Sequence, residues 1–204
     1  MYVCFSNVNF INTMIIMKKI IYLVLLALIT GLVAQAHEKT GEWNGCDYDF
    51  TFKDRQATIV VPKKAAKGNP WIWRPAFFDA FPSVDKALLE KGFHIVYYDV
   101  THLYGSPRAV SLGTEFYENM TDLYNLSEKV TLEGFSRGGL FVFNWAAQNT
   151  EKVACIYVDA PVCDVFSWPG RKNTALWNDL LKEWNLTDAG MEHFKGNPID
   201  NLAP

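Results

Sequence analysis

The amino-acid sequence predicts an α/β protein: a doubly wound, mostly parallel sheet covered by helices on both faces and entered through an antiparallel hairpin. Three observations carry this expectation. Short apolar runs of strand character alternate with helical patterns from residue 46 onward, and two early strands are split only by a polar turn. Half of the 204 residues are hydrophobic, which suits one packed domain, and no internal repeat or low-complexity stretch breaks the alternation.

The elements follow in order. "CDYDFTF" and "QATIVVP" read as strands joined through "KDR". "PWIWR" is a short buried run, and "FPSVDKALLEKG" places Val84, Ala87 and Leu88 at helical spacing with Gly92 as the stop. "FHIVYYDV" is the next buried strand. Thr114 is the expected cap of a helix presenting Tyr117, Met120 and Tyr124 on one face. "KVTLEGF" is a strand, "GLFVFNWAAQN" an all-round apolar helix, and "VACIYVD" a further strand. Thr174 is the expected cap of a last helix bearing Leu176, Leu180 and Trp184, followed by a short helix "TDAGMEHF" and an extended tail "NPIDNLAP".

The segment ahead of this pattern reads as targeting rather than fold. Met17-Lys18-Lys19, the apolar "IIYLVLLALITGLV" and the small-x-small site Ala34-Gln35-Ala36 make residues 17–36 a secretory leader, with cleavage before His37. The apolar core is short for a membrane anchor, which needs about 20 residues. Residues 1–16 precede the better start at Met17 and read as a mis-assigned extension, leaving 37–204 as the domain and a periplasmic or secreted location. Without Lys18 and Lys19, 17 basic residues face 22 acidic ones, a net charge of −5 that offers nucleic acid no basic surface. Three cysteines remain, Cys46, Cys155 and Cys163, so at least one is unpaired, and Cys155 alternates with apolar residues as a core position does. The histidines are scattered and no CxxC or HxxxH spacing occurs, so neither metal nor cofactor is expected.

One stretch carries chemistry. In "LEGFSRGGLF", Gly134-Phe135-Ser136-Arg137-Gly138 fits GxSxG, follows a buried strand and opens an apolar helix. A sharp strand-to-helix turn strains the serine backbone, side chains at the flanking glycines would collide with neighbouring elements, and the helix N-terminus sets N–H groups beside a developing oxyanion. The bland alternative is a glycine-rich turn of another doubly wound protein.

At these residues the chain resembles the α/β-hydrolase superfamily, and within it a group of secreted bacterial hydrolases. The resemblance rests on "NPWIWRPAFF", "YYDVTHLYGSP", "LEGFSRGG" and "DAPVCDVFSWPG", and runs from about Cys46 to the C-terminus. It implies that Ser136 is the nucleophile and that the Arg137 N–H forms half of the oxyanion hole. The other half belongs to the loop after "WIWR". Pro75 has no N–H, so the donor is Ala76 or Arg74. Arg74, Tyr104 and Trp168 are the expected substrate contacts near the carboxyl ends of strands.

The rest of the triad departs from the family order of Ser, acid, His. His37 would start the mature chain, His94 begins a strand, His102 lies upstream of the serine, and His193 sits in a short helix. Asp159, at the carboxyl end of its strand, is a loop-capping residue or the acid of a variant arrangement. The last strands of the superfamily sheet are expected to be missing, with this chain as a C-terminally truncated hydrolase that is inactive alone. The implied activity is hydrolysis of a carboxylic or carbohydrate ester. A serine peptidase and a non-catalytic binding protein on the same fold are the alternatives.

Overall fold

The computed structural model describes residues 37–40, 43 and 45–201. The expected leader 17–36 and the extension 1–16 lie outside the described residues. The elements run β1 (His37–Thr40), β2 (Gly45–Phe52), β3 (Arg55–Pro62), β4 (Trp71–Arg74), α1 (Ser83–Glu90), β5 (His94–Tyr98), α2 (Pro107–Tyr124), β6 (Val130–Phe135), α3 (Gly138–Gln148), β7 (Val153–Asp159) and α4 (Thr174–Glu183).

They form one sheet of order β1-β2-β3-β5-β4-β6-β7. The β5-β4-β6-β7 half is parallel, and β1, β2 and β3 join it through antiparallel pairs. The expected hairpin is present. Phe52 pairs with Arg55, and the connecting Lys53 and Asp54 both have positive φ (48° and 61°), the turn whose twist matches that of the flanking strands. β1 was not expected from the sequence; it is only four residues long, below the length at which alternation becomes legible.

The period-two alternation of strand side chains divides the core into two layers. In β4, Trp71 and Trp73 enter the layer shared with α2 and α3, where Trp73 meets Trp145 edge-on at a ring separation of 5.2 Å. Ile72 enters the opposite layer with Val60, Ile95 and Leu89 of α1. Helices therefore cover both faces, as expected. A third cluster, with Tyr104, Leu140, Val165, Trp177 and Leu180, seats α4 beside the start of α3.

Several local expectations are corrected. Thr114 does not cap α2. The helix begins seven residues earlier at Pro107, where Ser106 accepts from the Ala109 N–H at 3.1 Å. Thr114 lies inside the helix, donates to the Val110 carbonyl at 3.1 Å and accepts from the Trp145 indole at 3.2 Å. Asn173 rather than Thr174 caps α4, through Leu176 N–H. Cys155 is exposed, because β7 has only β6 as a neighbour among the described residues. The tail is not extended: Pro198–Asn201 is a 3-10 turn, tied to α3 by Asn201 Nδ2 donating to Asn144 Oδ1 at 2.9 Å.

Candidate active site

Ser136 occupies the sharp turn between β6 and α3. Its φ is +46°, its side chain is exposed, and Arg137, the N-cap of α3, follows directly behind it. Hydrogen bonds on both sides hold this left-handed turn. The Ser136 N–H donates to the Asp159 carbonyl at 3.0 Å, and the Val162 N–H donates to the Ser136 carbonyl at 2.8 Å. The segment after β7 thus supports the turn that β6 ends in, and its own Ala160 is left-handed as well (φ +43°). Strained backbone of this kind costs about 1–3 kcal/mol per residue and persists only where the surroundings enforce it.

Of the two glycines flanking the serine, one does the expected work. A Cβ at Gly134 would lie 3.1 Å from Val158 and 3.2 Å from Val142, so strand and helix close tightly there. At Gly138 it would reach Pro75 and Ala76 only at ordinary contact distances of 3.4 and 3.6 Å, so the expected collision does not occur. It occurs one residue later: a Cβ on Gly139 would fall 2.7 Å from Pro161 Cβ and 3.0 Å from the Val162 carbonyl oxygen.

The same contact at Gly138 places the loop after β4 against the start of α3. Ala76, buried at 3% exposure and expected as one oxyanion donor, therefore lies against Gly138, the residue after Arg137, the other expected donor. Pro75 keeps its carbonyl occupied by the Val100 N–H at 3.3 Å, which anchors the loop to the end of β5.

Arg74 is not at a ligand-facing surface. It shares the α1 side of the sheet with Ile72, is completely buried, and is paired on both hands: Nη1 with Asp85 of α1, and Nε with Glu133 of β6 at 3.5 Å. Its Nη2 donates to the Ala80 carbonyl at 2.9 Å, and its guanidinium lies 5.0 Å from the Phe135 ring centre. Arg74 is thus a buried brace, which removes it from the substrate contacts expected from sequence. Burial pushes the Glu133 carboxyl well above the ordinary carboxylate range and the Asp85 carboxylate adds to the rise, while Arg74 opposes it. One cation between two carboxyls leaves room for one proton. Glu133 was a missed signal: a charged residue inside the strand run "KVTLEGF" is almost never buried without a partner.

Tyr104 is also buried, at 1% exposure, so its expected role as a substrate contact is corrected to packing. Its ring lies 5.9 Å from that of Trp168. Trp168 is half-buried, and its ring together with that of Phe77 flanks the Arg137 guanidinium at 5.8 and 4.8 Å.

On the α1 side of Ser136 lies a cavity of about 250 Å3 lined by Phe77, Ala80, Phe81, Phe135, Ser136, Asp159 and Ala160. It was not expected from the sequence. Phe77, Asp79 and Phe81 take positive φ (58°, 62° and 53°), which curls residues 77–81 over the site, and nothing in "AFFDAFP" announces a left-handed phenylalanine. No histidine lines this cavity among the described residues. His94 begins β5 at the other end of the sheet, with burial lowering its pKa and the Pro70 carbonyl opposing that, and His102 lines a separate cleft with Arg108, Asp179, Lys182 and Glu183. His193 sits in the 3-10 turn Ala189–His193.

A family model for the alpha/beta hydrolase fold matches residues 69–201. The chain belongs to the α/β-hydrolase fold family. That match runs from just before β4 to the end of the described chain, and so contains both the elbow and the loop after β4. Among solved structures, this α/β-hydrolase is similar to an S-formylglutathione hydrolase from Agrobacterium tumefaciens at 14% identity and a TM-score of 0.54, covering 71% of each chain. It is similar to Candida antarctica lipase A at 12% identity and a TM-score of 0.54, covering 79% of this chain and 50% of that one. A Mycobacterium tuberculosis puromycin-hydrolyzing peptidase aligns at 12% identity and a TM-score of 0.56, over 81% of this chain and 29% of that one. No curated protein matches the chain in sequence. As a member of this family the chain is classed with hydrolases.

Proposed function

We propose that this α/β-hydrolase is a serine hydrolase acting on a carboxylic or carbohydrate ester, with Ser136 as its nucleophile. The observation that carries the reading is Ser136 itself: an exposed hydroxyl on a left-handed turn at a helix N-terminus, opening onto a cavity.

In the reaction, Ser136 Oγ attacks the ester carbonyl carbon while a base takes the hydroxyl proton. The oxyanion faces the Arg137 and Ala76 N–H groups. The carbon–oxygen bond to the alcohol then breaks and the alcohol leaves with that proton. Water attacks the acyl-serine next, passes a proton back to Ser136 Oγ through the same base, and frees the carboxylic acid. None of His94, His102 and His193 lines the cavity with Ser136, and Trp168 is the aromatic available to the leaving alcohol. The neighbouring fold relatives include both a lipase and a peptidase, and an ester substrate is favoured here because three phenylalanines and two alanines make up most of the described lining beside Ser136. The leader of residues 17–36 assigns the enzyme to the periplasm or the exterior, and N-terminal sequencing of exported protein should read from His37.

The second reading, a binding protein on the hydrolase fold, is favoured by one fact: among the described residues no histidine lines the cavity with Ser136. A fluorophosphonate probe separates the two. Labelling that disappears in Ser136→Ala supports the hydrolase, whereas labelling that survives the substitution leaves the binding protein standing.

A further inference from the structure

Resting on the serine hydrolase reading, we propose that the cavity between residues 77–81 and the elbow is the acyl site, and that it selects an uncharged arylalkanoyl group, one ring on a short chain. Three independent features lead there.

The first is lining. Of the seven residues around the cavity, three are phenylalanines and two are alanines; the remaining two are Ser136 and Asp159. Such walls favour an apolar guest, and the aromatic rings favour another ring through offset or edge contacts. Asp159 in the lining disfavours an anionic acyl group.

The second is size. An engineered apolar cavity of about 150 Å3 in another protein stays dry and binds benzene. The space here, about 250 Å3, takes a ring and a linker of about two carbons, and would leave an acetyl group with most of the walls unfilled. Whole drug-sized ligands need about 300–1,000 Å3, so one part of the substrate is held here and the alcohol lies elsewhere.

The third is construction. The residues that wall the cavity are held in place from beneath by buried groups that the reaction does not use. Arg74 Nη2 binds the Ala80 carbonyl at 2.9 Å, the Arg74 guanidinium lies against Phe135, and the Ala80 N–H closes on the Phe77 carbonyl at 3.0 Å. Asp85 and Glu133 hold Arg74 in turn. Three left-handed residues within a five-residue loop are a costly conformation, and here it is enforced by a fully buried cation. Arg74 is therefore a positioning residue for the acyl site.

The test has a catalytic arm and a binding arm. In the first, the full chain is assayed on 4-nitrophenyl esters of acetate, hexanoate and 3-phenylpropanoate. Where ester is turned over, kcat/KM should rise in that order, with phenylpropanoate about tenfold or more above acetate, as one good apolar pocket can discriminate. Ala80→Phe, which fills the cavity, should bring the ratio toward one. Phe81→Ala, whose ring is 82% exposed and outside the core, should lower it about threefold. Thermal unfolding of both variants establishes that they fold.

In the second arm, binding of ethyl 3-phenylpropanoate to Ser136→Ala is followed by ligand-observed NMR, with Ala80→Phe introduced as the blocked control. Binding that Ala80→Phe removes supports the acyl site even where this chain turns over no ester, so the site is tested separately from the hydrolase reading. Turnover with acetate equal to or better than phenylpropanoate, or ester binding that Ala80→Phe leaves intact, overturns the acyl site and leaves the hydrolase reading in place. Failure of ethyl 3-phenylpropanoate to bind overturns the acyl site as well, because the cavity is then closed to small ligands.

Discussion

The Ser136 N–H donates to the carbonyl of Asp159 at 3.0 Å, so the turn that presents the Ser136 hydroxyl is held by the carboxyl end of the next strand. β7 is at the edge of the described sheet, yet its last residue enforces the backbone at the centre of the site. The strain resides at Ser136 φ, and side-chain chemistry can be separated from it.

Ser136→Gly should unfold at a denaturant concentration equal to or above that of the parent. Relief of a left-handed residue returns about 1 kcal/mol and offsets the chain entropy that glycine adds. Ser136→Val, β-branched at φ +46°, should lose about 1–3 kcal/mol relative to Ser136→Gly. The Ser136 side chain is exposed, so packing contributes little to the comparison. Equal stabilities for Gly and Val would mean that the turn relaxes in solution.

The two glycines after the serine should respond oppositely to alanine. Gly139→Ala drives a methyl into Pro161 and the Val162 carbonyl and should cost about 1–3 kcal/mol. Gly138→Ala meets only ordinary contacts with Pro75 and Ala76 and gains helix propensity, so it should be neutral or stabilising by up to about 1 kcal/mol. Chemical denaturation of the two variants against the parent decides this.

The buried Glu133 carboxyl, pushed up to about 9 by burial first and by Asp85 next, makes folding pH-dependent. Its folded value exceeds the ordinary unfolded one near 4.5, so the native state holds a proton that the unfolded chain has already lost. Stability from this group is full below pH 4.5 and declines as pH rises toward 9. Glu133→Gln should flatten that decline, because an amide cannot ionise. Arg74→Met should cost about 3–5 kcal/mol, as it strands two buried carboxyls without their cation. Urea midpoints measured across that pH window on the parent and both variants test the assignment; identical slopes for parent and Glu133→Gln would refute it.

At the start of α2, Ser106→Ala should destabilise by about 1–2 kcal/mol, since Ser106 Oγ accepts from Ala109 N–H and donates to Glu183 at 2.8 Å. Thr114→Val removes no cap. It leaves the fully buried Trp145 indole N–H without its acceptor, at a cost of about 1–3 kcal/mol. The two losses should add in the double variant, because they act at separate groups.

From β2 onward the strand and helix order, and the turn that carries Ser136, are legible in the linear chain. Those features are written in local periodicity: the pattern of "WIWR" distributes Trp71 and Trp73 to one layer and Ile72 to the other whatever the rest of the chain does. The α2 start was also locally encoded, as Ser106-Pro107, a capping residue followed by proline at the first helical position, but the expectation placed at Thr114 passed over it. Long-range packing settled the neighbours of the serine. Arg74, Asp85 and Glu133 are 11 and 48 positions apart along the chain, and only the β4–β6 pairing with α1 packed over it brings their charges together, which turns an expected substrate contact into a buried brace. The cavity has the same origin. Phe77 and Phe81 face it because Arg74 holds the Ala80 carbonyl from below, and a left-handed phenylalanine is an unfavourable local state that only such long-range contacts can impose.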